Sequence, residues 1–103
     1  MNLKINKKTY EIKEFNDFKS RFKSLKFVLD PLDYIIKFPN KKIANTYFFV
    51  QKIDICFTDN KNRILKIMEN VGTEKIIFEP TATNTYYLPL GCIKEYKVGD
   101  ILK

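Results

Sequence analysis

Apolar residues in this 103-residue chain fall in short runs divided by polar clusters, a pattern of strands more than of long helices. Residues 2–6 and 9–12 read as two short strands joined at Lys7-Lys8, a turn that suits a hairpin. The period then changes. Phe15, Phe18, Phe22 and Leu25 recur at helical spacing, Asn16 is placed to cap, and Asp17 sits favourably in a first turn. These features predict a helix over residues 16–26 with its Phe stripe in the core. Lys19, Arg21, Lys23 and Lys26 fall mostly on its other faces. Asp30-Pro31 marks a loop, because a residue before Pro is pushed out of helical geometry.

Beyond the loop the strand pattern returns. Residues 34–38 form a short apolar strand ending at Pro39-Asn40. Residues 46–57, TYFFVQKIDICF, are apolar on nearly both faces, which predicts a central strand. A polar turn at 58–62 leads to a return strand over 63–69, and further short strands are expected at 75–78 and 85–90. A turn or short helical segment follows at 91–96, then a closing stretch at 98–102. Six or seven strands with one good helix predict an α+β, mainly β, single domain over residues 1–103. The expected architecture is a small barrel-like antiparallel or mixed sheet with the 16–26 helix covering it. Parallel βαβ units are disfavoured, since only one helix is long enough to cross over.

Composition removes several chemistries. The chain has no His, so Ser–His and Cys–His nucleophile pairs and His-based metal centres are excluded. Cys56 and Cys92 sit in apolar contexts and form no Cys-x-x-Cys motif; buried reduced thiols are the plainer reading, and one disulfide the other. No apolar run approaches the roughly 18–20 residues of a membrane span. The first residues lack the apolar segment of a secretory signal, so a cytoplasmic location is expected.

The net charge is +7, with 19 Lys and Arg against 12 Asp and Glu. All of the excess lies before residue 71. Such a balance attracts phosphate backbones. Yet Arg, the better bidentate partner for phosphate and bases, occurs only as Arg21 and Arg63. The abundant Lys, Asn and Ile are equally what an A/T-rich genome produces.

Asp54 is the most informative single residue, because a carboxylate inside an apolar strand is costly unless paired or hydrogen-bonded. A structural role, through backbone N–H groups or an Arg21–Asp54 pair fastening the helix to the central strand, stands beside acid–base or metal-binding roles. The other carboxylates show no convergent spacing, and Gly72, Gly91 and Gly99 are isolated rather than part of a phosphate loop. Neither a catalytic set nor a metal-ligand set nor a cofactor is indicated. Tyr47-Phe48-Phe49 and Tyr86-Tyr87 must turn some rings away from any one face. Asn45, Thr46 and Tyr47 are therefore candidate binding residues, with polar groups at the rim of an aromatic pocket.

The order of motifs resembles domain-of-unknown-function family 192, small uncharacterised prokaryotic proteins. The likeness spans residues 10–103. It is carried by Arg21–Leu25 (RFKSL) in the helix, Asn45–Phe49 (NTYFF), Lys52-Ile53-Asp54, the hairpin over 55–70, Tyr87–Gly91 (YLPLG) and Lys97–Leu102 (KVGDIL). Asn45 stands where relatives often carry His or Lys, Lys52 where they carry Pro, and Ser24 where they carry Gly. The resemblance implies a compact β-rich domain and no particular reaction. The reading that best fits is a non-catalytic binding module for a protein partner or small ligand. One alternative is a nucleic-acid-binding domain using the Lys-rich N-terminal hairpin and helix. Another is a hydrolase-like enzyme centred on Asp54.

Overall fold

The computed structural model describes residues 2–5, 8–14, 34–45, 51–72 and 74–102. They form eight strands: β1 (Asn2–Ile5), β2 (Lys8–Glu14), β3 (Ile35–Pro39), β4 (Ile43–Asn45), β5 (Ile53–Thr58), β6 (Ile64–Val71), β7 (Ile76–Phe78) and β8 (Asn84–Leu88). A short 3₁₀ helix, Cys92–Glu95, follows. Six strands make one sheet in the order β1-β2-β3-β8-β5-β6, while β4 and β7 pair separately. The 16–26 helix expected from the Phe spacing lies outside the described residues.

The sheet is open rather than barrel-like. Among the described residues β1 and β6 stand at its two ends, and the strands that might have extended it, β4 and β7, leave to form a second layer. The domain is therefore mainly β, with eight strands among the described residues where six or seven were expected, and with an open sheet in place of the barrel. The sheet is mixed, one of the two forms expected, since β2 and β3 run parallel with Ile12 beside Ile35 and Glu14 beside Lys37. One long connection between Glu14 and Ile35 suffices for one parallel pair. All other pairings are antiparallel.

Strand alternation divides the core in two. On the front face Ile36, Phe38, Ile53, Ile55, Phe57 and Tyr87 pack with Val71, Ala44 and Ala82. The small sheet covers this face, with Ala44 and Ile77, neighbours in the β4–β7 register, turned inward. Phe38 and Tyr87 meet edge to face at 4.9 Å. On the back face Ile35, Cys56, Tyr86 and Leu88 pack under Ile64, Cys92, Ile93 and Leu102. β5 thus has cover on both sides, and all six of its residues are buried. Its doubly apolar sequence correctly marked it as central, between β8 and β6.

Two devices shape the edge strand β6. Its register against β5 shifts between Ile53/Ile55 and between Phe57/Thr58, and Asn70 at the first shift takes φ 54°. Such bulges bend an edge away from further pairing. The C-terminal segment also caps its start: Ile64 N–H donates to the Asp100 carbonyl at 2.8 Å, and Gly99 N–H to the Ile64 carbonyl at 2.9 Å. Gly99 makes that return at φ 100°, a conformation glycine adopts without Cβ strain. Asp100 accepts from Lys97 N–H at 3.0 Å, as its place in the Gly-Asp turn suggested. The β5–β6 turn is closed by Asp59, whose Oδ1 accepts from Lys61 N–H at 2.8 Å and Arg63 N–H at 2.9 Å. These bonds, the one from Arg63 foremost, hold the exposed carboxyl below its ordinary range.

Candidate functional site

Two places in the fold answer to the residues singled out in the sequence, and they lie on opposite sides of the main sheet. Asp54 occupies the back face of β5, opposite Leu88 in register. Its side chain is 1% exposed. One carboxylate oxygen accepts from Asn70 N–H at 3.0 Å, at the β6 bulge. The other accepts from Ile93 N–H at 3.2 Å, in the 3₁₀ helix. A buried carboxylate is tolerable when backbone donors replace its water, and here one comes from each neighbouring segment. This is the geometry of an anchor between β5, β6 and the C-terminal segment. Arg21, expected to pair with Asp54, lies outside the described residues.

The thiols belong to the same back core. Cys56 and Cys92 are buried and not joined in a disulfide, and they share one cluster with Tyr86, Tyr10 and Tyr96. Burial pushes the Cys56 thiol up strongly, and proximity to Cys92 and Asp54 adds to the shift. Tyr10 is raised by burial and then by Cys92, to which its hydroxyl is bonded. Tyr86 is raised chiefly by burial, while its hydroxyl donates to Asn62 Oδ1 at 2.8 Å. A thiol held protonated is a poor nucleophile, so this cluster packs rather than reacts. Among the described residues no three of His, Cys, Asp and Glu converge in a metal-binding arrangement. No helix among them is long and apolar enough to cross a membrane.

The second place is the outer side of the small sheet. Asn45 ends β4 there, opposite Ile76 in register, and Ile43 lies opposite Phe78. Since Ala44 and Ile77 turn inward, the alternation that buries them turns Ile43, Ile76 and Phe78 outward. These three are 42%, 62% and 56% exposed. Three large apolar side chains on one face of a pair of short strands make a patch, not scattered surface residues. Leu90, Val98 and Ile101 are also exposed, but no sheet register sets them side by side. Thr46 and Tyr47 lie outside the described residues. Asn45 and Asp54 are not brought together, since they belong to layers on opposite sides of β5.

The sequence missed Ile43, Ile76 and Phe78 because an all-apolar run such as Ile76-Ile77-Phe78 reads as buried on both faces. The one available signal was its brevity. Its polar neighbours Thr73-Glu74-Lys75 and Glu79-Pro80 leave three residues, too few for a central strand.

No protein-family model matches the chain, and no curated protein matches it. Neither comparison tests the likeness to family 192. Solved structures do share the fold. A Sinorhizobium meliloti 1021 protein, described as a candidate transcription regulator, aligns over 99% of this chain and 89% of its own length. Its TM-score is 0.81 at 17% identity. A protein of unknown function from Novosphingobium aromaticivorans DSM 12444 aligns over 92% of this chain and 75% of its own, with TM-score 0.78 and 16% identity. Identities this low establish a common small, mainly β architecture and leave function to the site itself.

Proposed function

We propose that the protein is a non-catalytic binding module that presents the outer face of the β4–β7 sheet to a protein partner. The observation that carries this reading is the alignment of Ile43, Ile76 and Phe78, all exposed, on one side of a layer whose other side is core. Leaving large apolar groups in water forgoes burial of about 25 cal/mol per Å², a loss that a binding surface recovers in the complex. The back-face residues favour the same reading, because Asp54 has both oxygens committed to backbone N–H groups. The family-192 resemblance, which implies no reaction, agrees with it.

The test is site-specific photo-cross-linking in cells. A photoreactive phenylalanine analogue at position 78 should yield a discrete adduct that disappears when Ile43 and Ile76 are both changed to Asp. The same analogue at exposed Lys94 should yield none. Absence of any adduct at position 78, or the same adduct from both positions, contradicts the reading.

A second reading, duplex DNA binding through the Lys-rich N-terminal hairpin and the 16–26 segment, draws on the +7 charge and on the description of the Sinorhizobium protein. It predicts affinity that falls steeply with salt, by about a thousandfold or more between 50 and 200 mM for six or more phosphate contacts. The leading reading predicts no such duplex binding.

A further inference from the structure

We infer that the outer face of the small sheet takes a short apolar segment of an acidic protein, in preference to a second copy of this chain. This rests on the binding-module reading and specifies the partner's chemistry. Area is the first argument. Among the described residues the large exposed apolar side chains on this face come to three, Ile43, Ile76 and Phe78, on strands of three residues each. A stable dimer buries roughly 800 Å² per partner, far more than such a strip supplies. A peptide segment needs less, because it is recognised through a few anchoring side chains at alternate positions.

Charge is the second argument. With a net charge of +7, two copies repel one another as they approach, whereas an acidic partner is drawn in. The chain beside the strip has the same sign. Lys41-Lys42 leads into β4 and Lys75 into β7, and the antiparallel pairing sets these at opposite ends of the strip. Glu74 and Glu79 offset part of this, and the Lys42 ammonium donates to the Ala82 carbonyl while that of Lys41 lies over the Phe38 ring, so the attraction rests chiefly on the net charge. One competing surface for a second copy is the long edge of β6. Its register shifts and the C-terminal segment bonded to Ile64 obstruct strand addition there.

The probe is a pair of synthetic peptides of about eight residues, each alternating Phe or Val with a charge, Asp in one and Lys in the other. Each is titrated into ¹⁵N-labelled protein at low salt and at about 150 mM salt, with backbone amide shifts as readout. The acidic peptide should move the amides of Ile43, Ile76 and Phe78 and leave those of the 3₁₀ helix in place. Its affinity should exceed that of the basic peptide about tenfold at low salt, with the gap narrowing at the higher salt. I76D should remove the shifts while the rest of the spectrum is retained. Equal affinity of both peptides for this face overturns the inference and leaves the binding-module reading standing. No shift at these amides with the acidic peptide also overturns it, and overturns the wider reading if the position-78 cross-link is missing too. Concentration-dependent shifts at these amides without peptide mean that a second copy sits there, which likewise overturns it.

Discussion

β5 and β7 are both apolar strands, IDICFT and IIF, yet the fold treats them in opposite ways. β5 lies between β8 and β6 and is covered on both faces, so even Asp54 is enclosed with its partners. β7 pairs with one strand, turns Ile77 into the core and leaves Ile76 and Phe78 in solvent. A polar residue inside and apolar residues outside are both informative exceptions to ordinary burial, but they inform about different things. The enclosed carboxylate, with every oxygen satisfied, explains how the domain holds together. The exposed Ile76 and Phe78 side chains mark the surface proposed for a partner.

Substitution should separate the two strands sharply. Phe57→Ala in β5 should cost about 3–5 kcal/mol in urea unfolding, the usual range for emptying a buried aromatic site. Phe78→Ala in β7 should stay within about 0.5 kcal/mol. A loss above about 2 kcal/mol for Phe78→Ala would show that this ring is structural and dissolve the contrast. Next in size is Asp54→Ala, which orphans the Asn70 and Ile93 N–H groups. At about 1–3 kcal/mol per orphaned donor, the loss should be about 2–4 kcal/mol after partial rehydration. An undiminished urea midpoint would remove Asp54 from its anchoring role.

Alkaline pH probes the back core more gently. The unfolded Cys56 thiol ionises near its ordinary 9.0, while burial keeps the folded one protonated well above that. Stability is therefore fully present below about pH 9 and falls as pH rises beyond it, by up to about 1.4 kcal/mol per pH unit from this group. Cys56→Ala should flatten the decline between pH 8 and 10, whereas I76D should leave it unchanged. The smallest effect concerns Asp59, whose lowered carboxyl stabilises its turn above the ordinary value of 3.8 and ceases to as pH falls below it. Asp59→Asn should remove a slight acid-side drop in Tm and leave both cores intact.

The strands were legible because alternation and turn residues are local signals. The N-terminal hairpin, β3, β5, β6 and β8 stand within a few residues of their expected places, save that β5 begins at Ile53 rather than at residue 46. Partnership was less legible. Nothing in Ile12 or Ile35 announces that they run parallel, because pairing direction depends on where a long connection returns the chain. Closure failed for the same reason. Periodicity tells how many faces a strand buries and says nothing of whether β4 and β7 extend a sheet or cover it. At the site, Asp54 stands out by contrast with its neighbours, while Ile43, Ile76 and Phe78 read as core, since the exposure of one face leaves no mark in so short an apolar run.

Asp54 reaches Asn70, 16 positions away, and Ile93, 39 positions away. A growing chain can form the β5–β6 hairpin early, but the carboxylate keeps half its shell in water until Ile93 has cleared the ribosome. Until then the back cluster around Cys56 and Leu88 lacks its C-terminal members Cys92, Ile93 and Leu102. Completion of the core is thereby tied to synthesis of the C-terminal segment, and any interruption before Ile93 leaves a nascent chain with its centre unsealed.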